Sequence, residues 1–310
     1  MSETGRIYIL GAGAIGSPLA AYLASAGRSV VAVRTSRNDV SRDTITISVH
    51  NDVDNLKVSV ETVSLSLLTS LDGIIVITAK SYANKSIALE LKRKTVRGSL
   101  VIMQNGVGVE RPFLDAQFPE VHRCVLYVTS QETSTNDFAF RSITSSPMGV
   151  VRGSETDLEK VVGKLSTRGL PIHIDANIQR EIWKKAIVNS VFNSICPLLD
   201  VDNGIFVRDK EAAKLANEAV MECIPLANRL NLALTPSELM DQIMLISKRS
   251  DGQLISTLQD IRSGRETEIE FLNLEMARVA ASQQPRIDLP RTELLGEMIL
   301  LKAMQRRTHG

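Results

Sequence analysis

Short apolar runs rich in β-branched residues recur along the first half of the chain, separated by stretches with helical spacing. Residues 6–10 (RIYIL) read as a strand, 14–26 as a helix ended by Gly27, and 29–33 as a second strand. Residues 44–49 and 56–63 read as an antiparallel excursion. Residues 73–78 (GIIVIT) form a fully apolar run, as expected of a strand at the centre of a parallel sheet. Further strands are predicted over 121–130, 149–151, 171–175 and 99–103, with a helix over 155–167. Strands alternating with helices imply a doubly wound α/β sheet. After about residue 176 almost only helical periodicity remains. The pattern therefore predicts an α/β domain over 1–175 followed by an all-helical domain over 176–310.

Composition narrows the function classes. A chain of 310 residues exceeds one ordinary core, and 44% hydrophobic with 23% charged residues is ordinary for a water-soluble globular protein. A net charge of +1 gives no broad electrostatic footprint for nucleic acid or an anionic membrane. No apolar run approaches the roughly 18 residues needed to span a bilayer, and the opening MSETGRIYIL does not read as a signal peptide. Cys124, Cys196 and Cys223 are odd in number and scattered, which predicts free thiols in a reducing, cytoplasmic setting. His50, His122, His173 and His309 show no metal-ligand spacing, so no metal is expected.

The stretch LGAGAIGSPLA, residues 10–20, carries the first chemistry. Gly11, Gly13 and Gly16 follow a strand and open a helix, with Ala12, Ala14 and Ile15 between them. In a Rossmann-type dinucleotide fingerprint the first glycine makes the turn, the second admits a pyrophosphate, and the third lets helix and strand pack closely. An acidic residue at the end of the second strand would bind the ribose hydroxyls of NAD. Here the chain reads Val33-Arg34-Thr35-Ser36-Arg37, and arginines with hydroxyls suit a 2′-phosphate, so NADP(H) is expected over NAD(H). Lys80 and Asn105 close two later strands and are expected on the cofactor side. A plain turn competes for Asn105-Gly106.

In the helical half, residues 181–196 read as a helix that is apolar around much of its circumference. Lys185, Asn189 and Asn193 recur on it every four residues and drift only about 40° per step, so they share one face. A lysine above two asparagines on a helix otherwise built for a core reads as the lining of a cleft, because buried polar groups need partners. Lys184 is the outward alternative.

These residues together resemble the ketopantoate reductase family. The likeness runs nearly the whole chain: GAGAIG at 11–16, the arginine after the second strand, Lys80, and QNG at 104–106. It continues through WKKAIVNSVFN at 183–193, Asn203-Gly204, and the run from Ser256 to Glu268 that reads STLQDIRxxRxTE. The resemblance implies an NADPH-dependent reduction of ketopantoate (2-dehydropantoate) to (R)-pantoate in pantothenate synthesis. It implies Lys185 as the general acid. Asn189, Asn193, Asn203 and Ser256 resemble the groups that hold the substrate, and Glu268 resembles one that touches the cofactor and orders the site. Lys80 and Asn105 fall on cofactor-contact positions. The stretches at 127–134 and 145–149 depart from the family pattern, and no cofactor contact is carried over to them. Two other readings stay open: a reductase of another 2-oxo acid on the same scaffold, and a non-catalytic NADP(H) sensor. The apolar helical half is compatible with a homodimer.

Overall fold

The computed structural model describes residues 5–35, 41–51 and 55–308, the side chain of Thr308 excepted. It divides into two compact units: Met1–Gln104 with Val109–Ile178, and Asn105–Gly108 with Gln179–Gly310.

The first unit contains every strand among the described residues. These are β1 (Arg6–Leu10), β2 (Val30–Arg34), β3 (Arg42–His50), β4 (Asn55–Ser64), β5 (Ser70–Ile77) and β6 (Thr95–Arg97). There follow β7 (Leu100–Ile102), β8 (Val121–Cys124), β9 (Val128–Ser134), β10 (Asp137–Ser142), β11 (Ser146–Arg152) and β12 (Ile172–Ile174). They form one mixed sheet in the order β12-β11-β8-β7-β5-β1-β2-β4-β3-β10-β9, with β6 beside β5. From β8 to β4 all neighbours are parallel. The chain builds outward from β1 in both directions, so the topological switch point lies between β1 and β5. Helices α1 (Gly16–Ser25), α2 (Asn84–Lys92), α3 (Arg111–Asp115) and α4 (Glu155–Leu165) complete the unit. Leu19 and Leu23 of α1 and Leu158, Val161 and Leu165 of α4 share one core with Ile7 and Ile9 of β1.

The antiparallel excursion is the β3–β4 pair, running from Arg42↔Val63 to His50↔Asn55, and β4 also lies parallel to β2. The single strand expected over 121–130 is instead two. β8 pairs with β7 and β11 inside the sheet, whereas β9 pairs only with β10 at its far edge. Five of the seven β9 residues are exposed, so no apolar periodicity marks where it begins. The helix expected over 14–26 is shorter, because residues 11–15 are taken by the turn.

A buried polar cluster holds the chain at 104 and 109, where residues 105–108 leave the first unit. Asn84 and Gln104 exchange side-chain amide hydrogen bonds of 2.7 Å, and Asn84 also donates to the Val109 carbonyl at 2.7 Å. Arg123 donates to the Gln104 carbonyl at 3.1 Å and pairs with Glu110. At the edge of the sheet opposite the glycine turn, Glu120, His122 and Asp157 bring three potential ligand atoms within 4.8 Å. There Asp157 bonds His122 at 2.9 Å and also accepts from Ser99, while Glu120 accepts from the Ser154 N–H at 2.9 Å. These bonds tie α4 to the sheet.

The second unit is helical: α5 (Ile178–Leu199), α6 (Ile205–Arg208), α7 (Lys210–Arg229), α8 (Pro236–Arg249), α9 (Ser256–Arg262), α10 (Asn273–Ala281) and α11 (Pro290–Thr308). Its core surrounds α5, whose Trp183, Ile187, Val191, Phe192 and Ile195 are buried. Phe192 meets Phe206 of α6 edge-on, with ring centroids 4.9 Å apart. Even the α5 hydroxyls are satisfied locally, Ser190 donating to the Ile187 carbonyl and Ser194 to that of Ser190.

Candidate active site

Within the first unit, the turn after β1 gives each glycine a distinct reason. Gly11 has φ +115°, and a Cβ there would lie 2.2 Å from the Ala79 backbone nitrogen. A Cβ on Gly16 would lie 2.0 Å from the Gly11 carbonyl oxygen. Both positions are closed by packing against the end of β5, where Thr78 Oγ1 donates to that carbonyl at 2.8 Å. Gly13 differs: it is exposed, and a Cβ would meet no protein atom within 4 Å. Its missing side chain serves no packing in this chain, so the space above it suits a group approaching the backbone. The first turn of α1 carries no acidic residue and no side-chain cap, which leaves the positive end of the helix dipole unopposed by a local carboxylate. Ala12, Ala14 and Ile15 complete the turn and are half-buried. The turn thus fits a dinucleotide pyrophosphate.

Arg34 is the last residue of β2. Its guanidinium donates to Thr62 Oγ1 at 2.9 Å, contacts Ser41, and lies 3.5 Å from Asp43. Asp43 is an acid beside the candidate phosphate site that local sequence could not place there, since it arrives across the antiparallel β3–β4 pair. Ser36 and Arg37 lie outside the described residues. Lys80 follows β5 by three residues and precedes a short 3-10 turn, Ser81–Ala83, on the same edge of the sheet as the glycine turn.

Within the second unit, α5 carries Lys185, Asn189 and Asn193 on one face, as the four-residue spacing requires. Lys185 and Asn189 are half-buried, while Asn193 is only 3% exposed. The Asn193 amide donates to the Asn189 carbonyl at 2.9 Å. Its Oδ1 accepts from Thr257 Oγ1 at 2.7 Å and from Ser256 Oγ at 3.4 Å. The start of α9 is thereby fastened to the polar face of α5. The sequence assigns no role to Thr257; its place beside Ser256 in the STLQDIR run is the signal it carries. Lys184 bonds Glu238 of α8 at 3.0 Å, and Arg180 forks onto the same carboxylate at 2.7 and 2.8 Å. Partial burial would raise the Glu238 carboxyl, but Arg180 and Lys184 outweigh it and hold the group below the usual range.

Asn203 sits in the loop before α6 and is 6% exposed. Its N–H donates to the Gln253 carbonyl at 2.9 Å, and its carbonyl accepts from Ser247 Oγ at 2.7 Å. Its side-chain Oδ1 is buried without a hydrogen-bond partner. The preceding Asp202 accepts from the N–H groups of Gly204 at 2.7 Å and Gly252 at 3.2 Å, and from Arg208 Nη2, which reaches both carboxylate oxygens at 2.9 Å. Arg208, with these backbone donors, holds the Asp202 carboxyl down at about 2 against the opposing effect of burial. Against an unfolded value near 3.9, a depressed pKa contributes stability that is complete above about pH 4 and is lost as pH falls through 2. Wild type and Asp202→Asn are therefore expected to differ in Tm at about pH 6 and to converge towards pH ~2. A constant Tm gap over that range would contradict the charge assignment.

Asn105 belongs to the second unit, and its neighbours show why. The Val107 N–H donates to the Phe271 carbonyl at 2.8 Å, and Val107 enters the helical core. Gly106 has φ +104°, and a Cβ there would meet the Phe271 carbonyl oxygen at 2.5 Å. The Phe271 N–H in turn bonds the Glu268 carbonyl at 3.0 Å, so the segments bearing Asn105 and Glu268 are joined. Glu268 is half-buried, just before the 3-10 turn Ile269–Phe271.

A strand–glycine turn–helix at the switch point of a parallel sheet is the architecture of a dinucleotide-binding unit, and in this chain a helical unit with a polar-faced central helix accompanies it. Comparison with known proteins gives the family. Residues 7–149 match the family described as "Ketopantoate reductase PanE/ApbA", and residues 177–303 match "Ketopantoate reductase PanE/ApbA C terminal". A 2-dehydropantoate 2-reductase of Pyrococcus horikoshii is 30% identical over 288 residues, 90% of this chain and 93% of that protein. The chain belongs to the ketopantoate reductase family. Among solved structures, a D-mandelate dehydrogenase with NADH and anilino(oxo)acetate is similar with a TM-score of 0.83 at 20% identity, covering 97% of this chain and 99% of that one. A dimeric ketopantoate reductase from Staphylococcus aureus has a TM-score of 0.79 at 19% identity, over 97% and 99%.

Proposed function

We propose that this chain reduces ketopantoate to (R)-pantoate with NADPH. The observation that carries the reading is the α5 face. It presents Lys185, Asn189 and Asn193 together and is braced by Ser256 and Thr257, while Lys184 beside it is held in an ion pair. The glycine turn would hold the dinucleotide pyrophosphate, Lys80, Asn105 and Glu268 are assigned as further cofactor contacts from the family resemblance, and the nicotinamide would supply a hydride to the carbonyl carbon. The carbonyl oxygen of the oxo acid then gains an electron pair, and the Lys185 ammonium stabilises that charge and donates the proton. Asn189, Asn193, Asn203 and Ser256 hold the carboxylate and hydroxyl of the substrate. The homodimer is part of the same proposal, and the dimeric Staphylococcus aureus relative supports it.

The similarity to a mandelate dehydrogenase names the competing substrate, an aryl 2-oxo acid. Steady-state rates with ketopantoate and phenylglyoxylate separate the two. The proposal expects a higher kcat/KM for ketopantoate, and the reverse order would overturn it.

The preference for NADPH is assigned to Arg34. Arg34→Ala is expected to lower kcat/KM for NADPH by about 10- to 100-fold, the equivalent of one charge-assisted contact of ~1.5–3 kcal/mol. NADH kinetics should stay unchanged. Equal losses with both cofactors would show that Arg34 only braces β2 against Thr62 and Ser41.

A further inference from the structure

The partnerless Asn203 Oδ1 is costly as it stands, because a buried amide oxygen without a donor forfeits the free energy of its hydration. A ligand hydroxyl would satisfy it. A hydroxyl both donates and accepts, so it serves the amide in either orientation of its O and N. What holds Asn203 there is a clamp outside the residues assigned to the reaction. Both backbone polar groups of Asn203 are tied, to Gln253 and to Ser247. Asp202 staples the two flanks together: one carboxylate oxygen takes the N–H groups of Gly204 and Gly252, while Arg208 grips both oxygens. Arg208 also pairs with Asp251 in the facing turn. A Cβ on Gly204 would fall 1.8 Å from Asp251 Oδ1, so a side chain there would push the Asp251 carboxylate aside.

We propose that Asp202 is a positioning residue that aims the Asn203 amide, and that this clamp sets selectivity for oxo acids bearing a hydroxyl on the second carbon beyond the carbonyl. The inference rests on the ketopantoate reading and adds the residue that enforces it. Asp202 itself touches no substrate. Its loss should therefore act only through the group that Asn203 contacts.

The test compares ketopantoate with 3,3-dimethyl-2-oxobutanoate, the same molecule without its hydroxyl. Wild type is expected to favour ketopantoate in kcat/KM by about 10-fold or more, the discrimination one buried hydrogen bond supplies. Asp202→Ala should collapse that ratio towards one, by raising KM for ketopantoate while leaving the deoxy acid's constants within about 3-fold. Asp202→Asn keeps an oxygen for the two glycine N–H groups and should restore part of the ratio. Asn203→Ala should abolish the ratio directly. Equal losses on both acids in Asp202→Ala, or a preserved ratio, would overturn the proposal and leave the ketopantoate reading standing. No turnover of either acid by wild type would overturn that reading and the proposal with it.

Discussion

Lys185→Ala is expected to lower kcat on ketopantoate by about 100- to 10,000-fold, the range spanned by a single general acid. The loss should fall on kcat and kcat/KM together, because the proton and its charge matter most as the carbonyl oxygen becomes anionic. NADPH affinity should hardly change. Lys184→Ala is the matched control. Lys184 shares its acid with Arg180, so its removal leaves Glu238 paired. A part-exposed pair of this kind contributes about 0–1 kcal/mol, and activity should stay near wild type. Steady-state kinetics on the two variants check this. If Lys184→Ala were the inactive one, the assignment of the α5 face would be reversed.

The three glycines should respond to substitution in different ways. Gly11→Ala forces a Cβ against the Ala79 backbone at a φ that L-residues rarely adopt. A destabilisation of about 3–5 kcal/mol is expected, from backbone strain and overpacking together. The Cβ of Gly13→Val meets no protein atom within 4 Å, so Tm should stay close to wild type. NADPH binding should nevertheless weaken about 100-fold, as expected when two charge-assisted contacts of ~1.5 kcal/mol are lost. Calorimetric Tm and a fluorescence titration with NADPH separate the effects. A Gly13→Val protein that folds and binds NADPH normally would mean that the turn holds no pyrophosphate.

Much of this was readable from sequence because it is local. The glycine spacing, the β1 and β2 strands around it, and the shared face of Lys185, Asn189 and Asn193 follow from short-range geometry. The misses are of another kind. Asp43 reaches Arg34 across an antiparallel pair, and Asn105 joins the helical unit through Phe271, a partner more than 160 residues away in sequence. No periodicity encodes either contact. Thr257, rather than Ser256, makes the shorter bond to Asn193, a choice fixed by how α9 docks on α5. One miss did carry a signal. Phe138 and Phe140 alternate with exposed neighbours, the mark of β10, and the left-handed Asn136 before them turns the hairpin with β9.

The proposed reduction of ketopantoate at the expense of NADPH is open to a single assay. The most direct measurement is the initial rate of NADPH oxidation when ketopantoate is added to the purified wild-type protein, with pantoate formation followed in the same reaction. Rapid, saturable oxidation with one pantoate formed per NADPH consumed is expected. Tight NADPH binding with no ketopantoate-dependent oxidation would contradict it and leave a cofactor-binding protein without this activity.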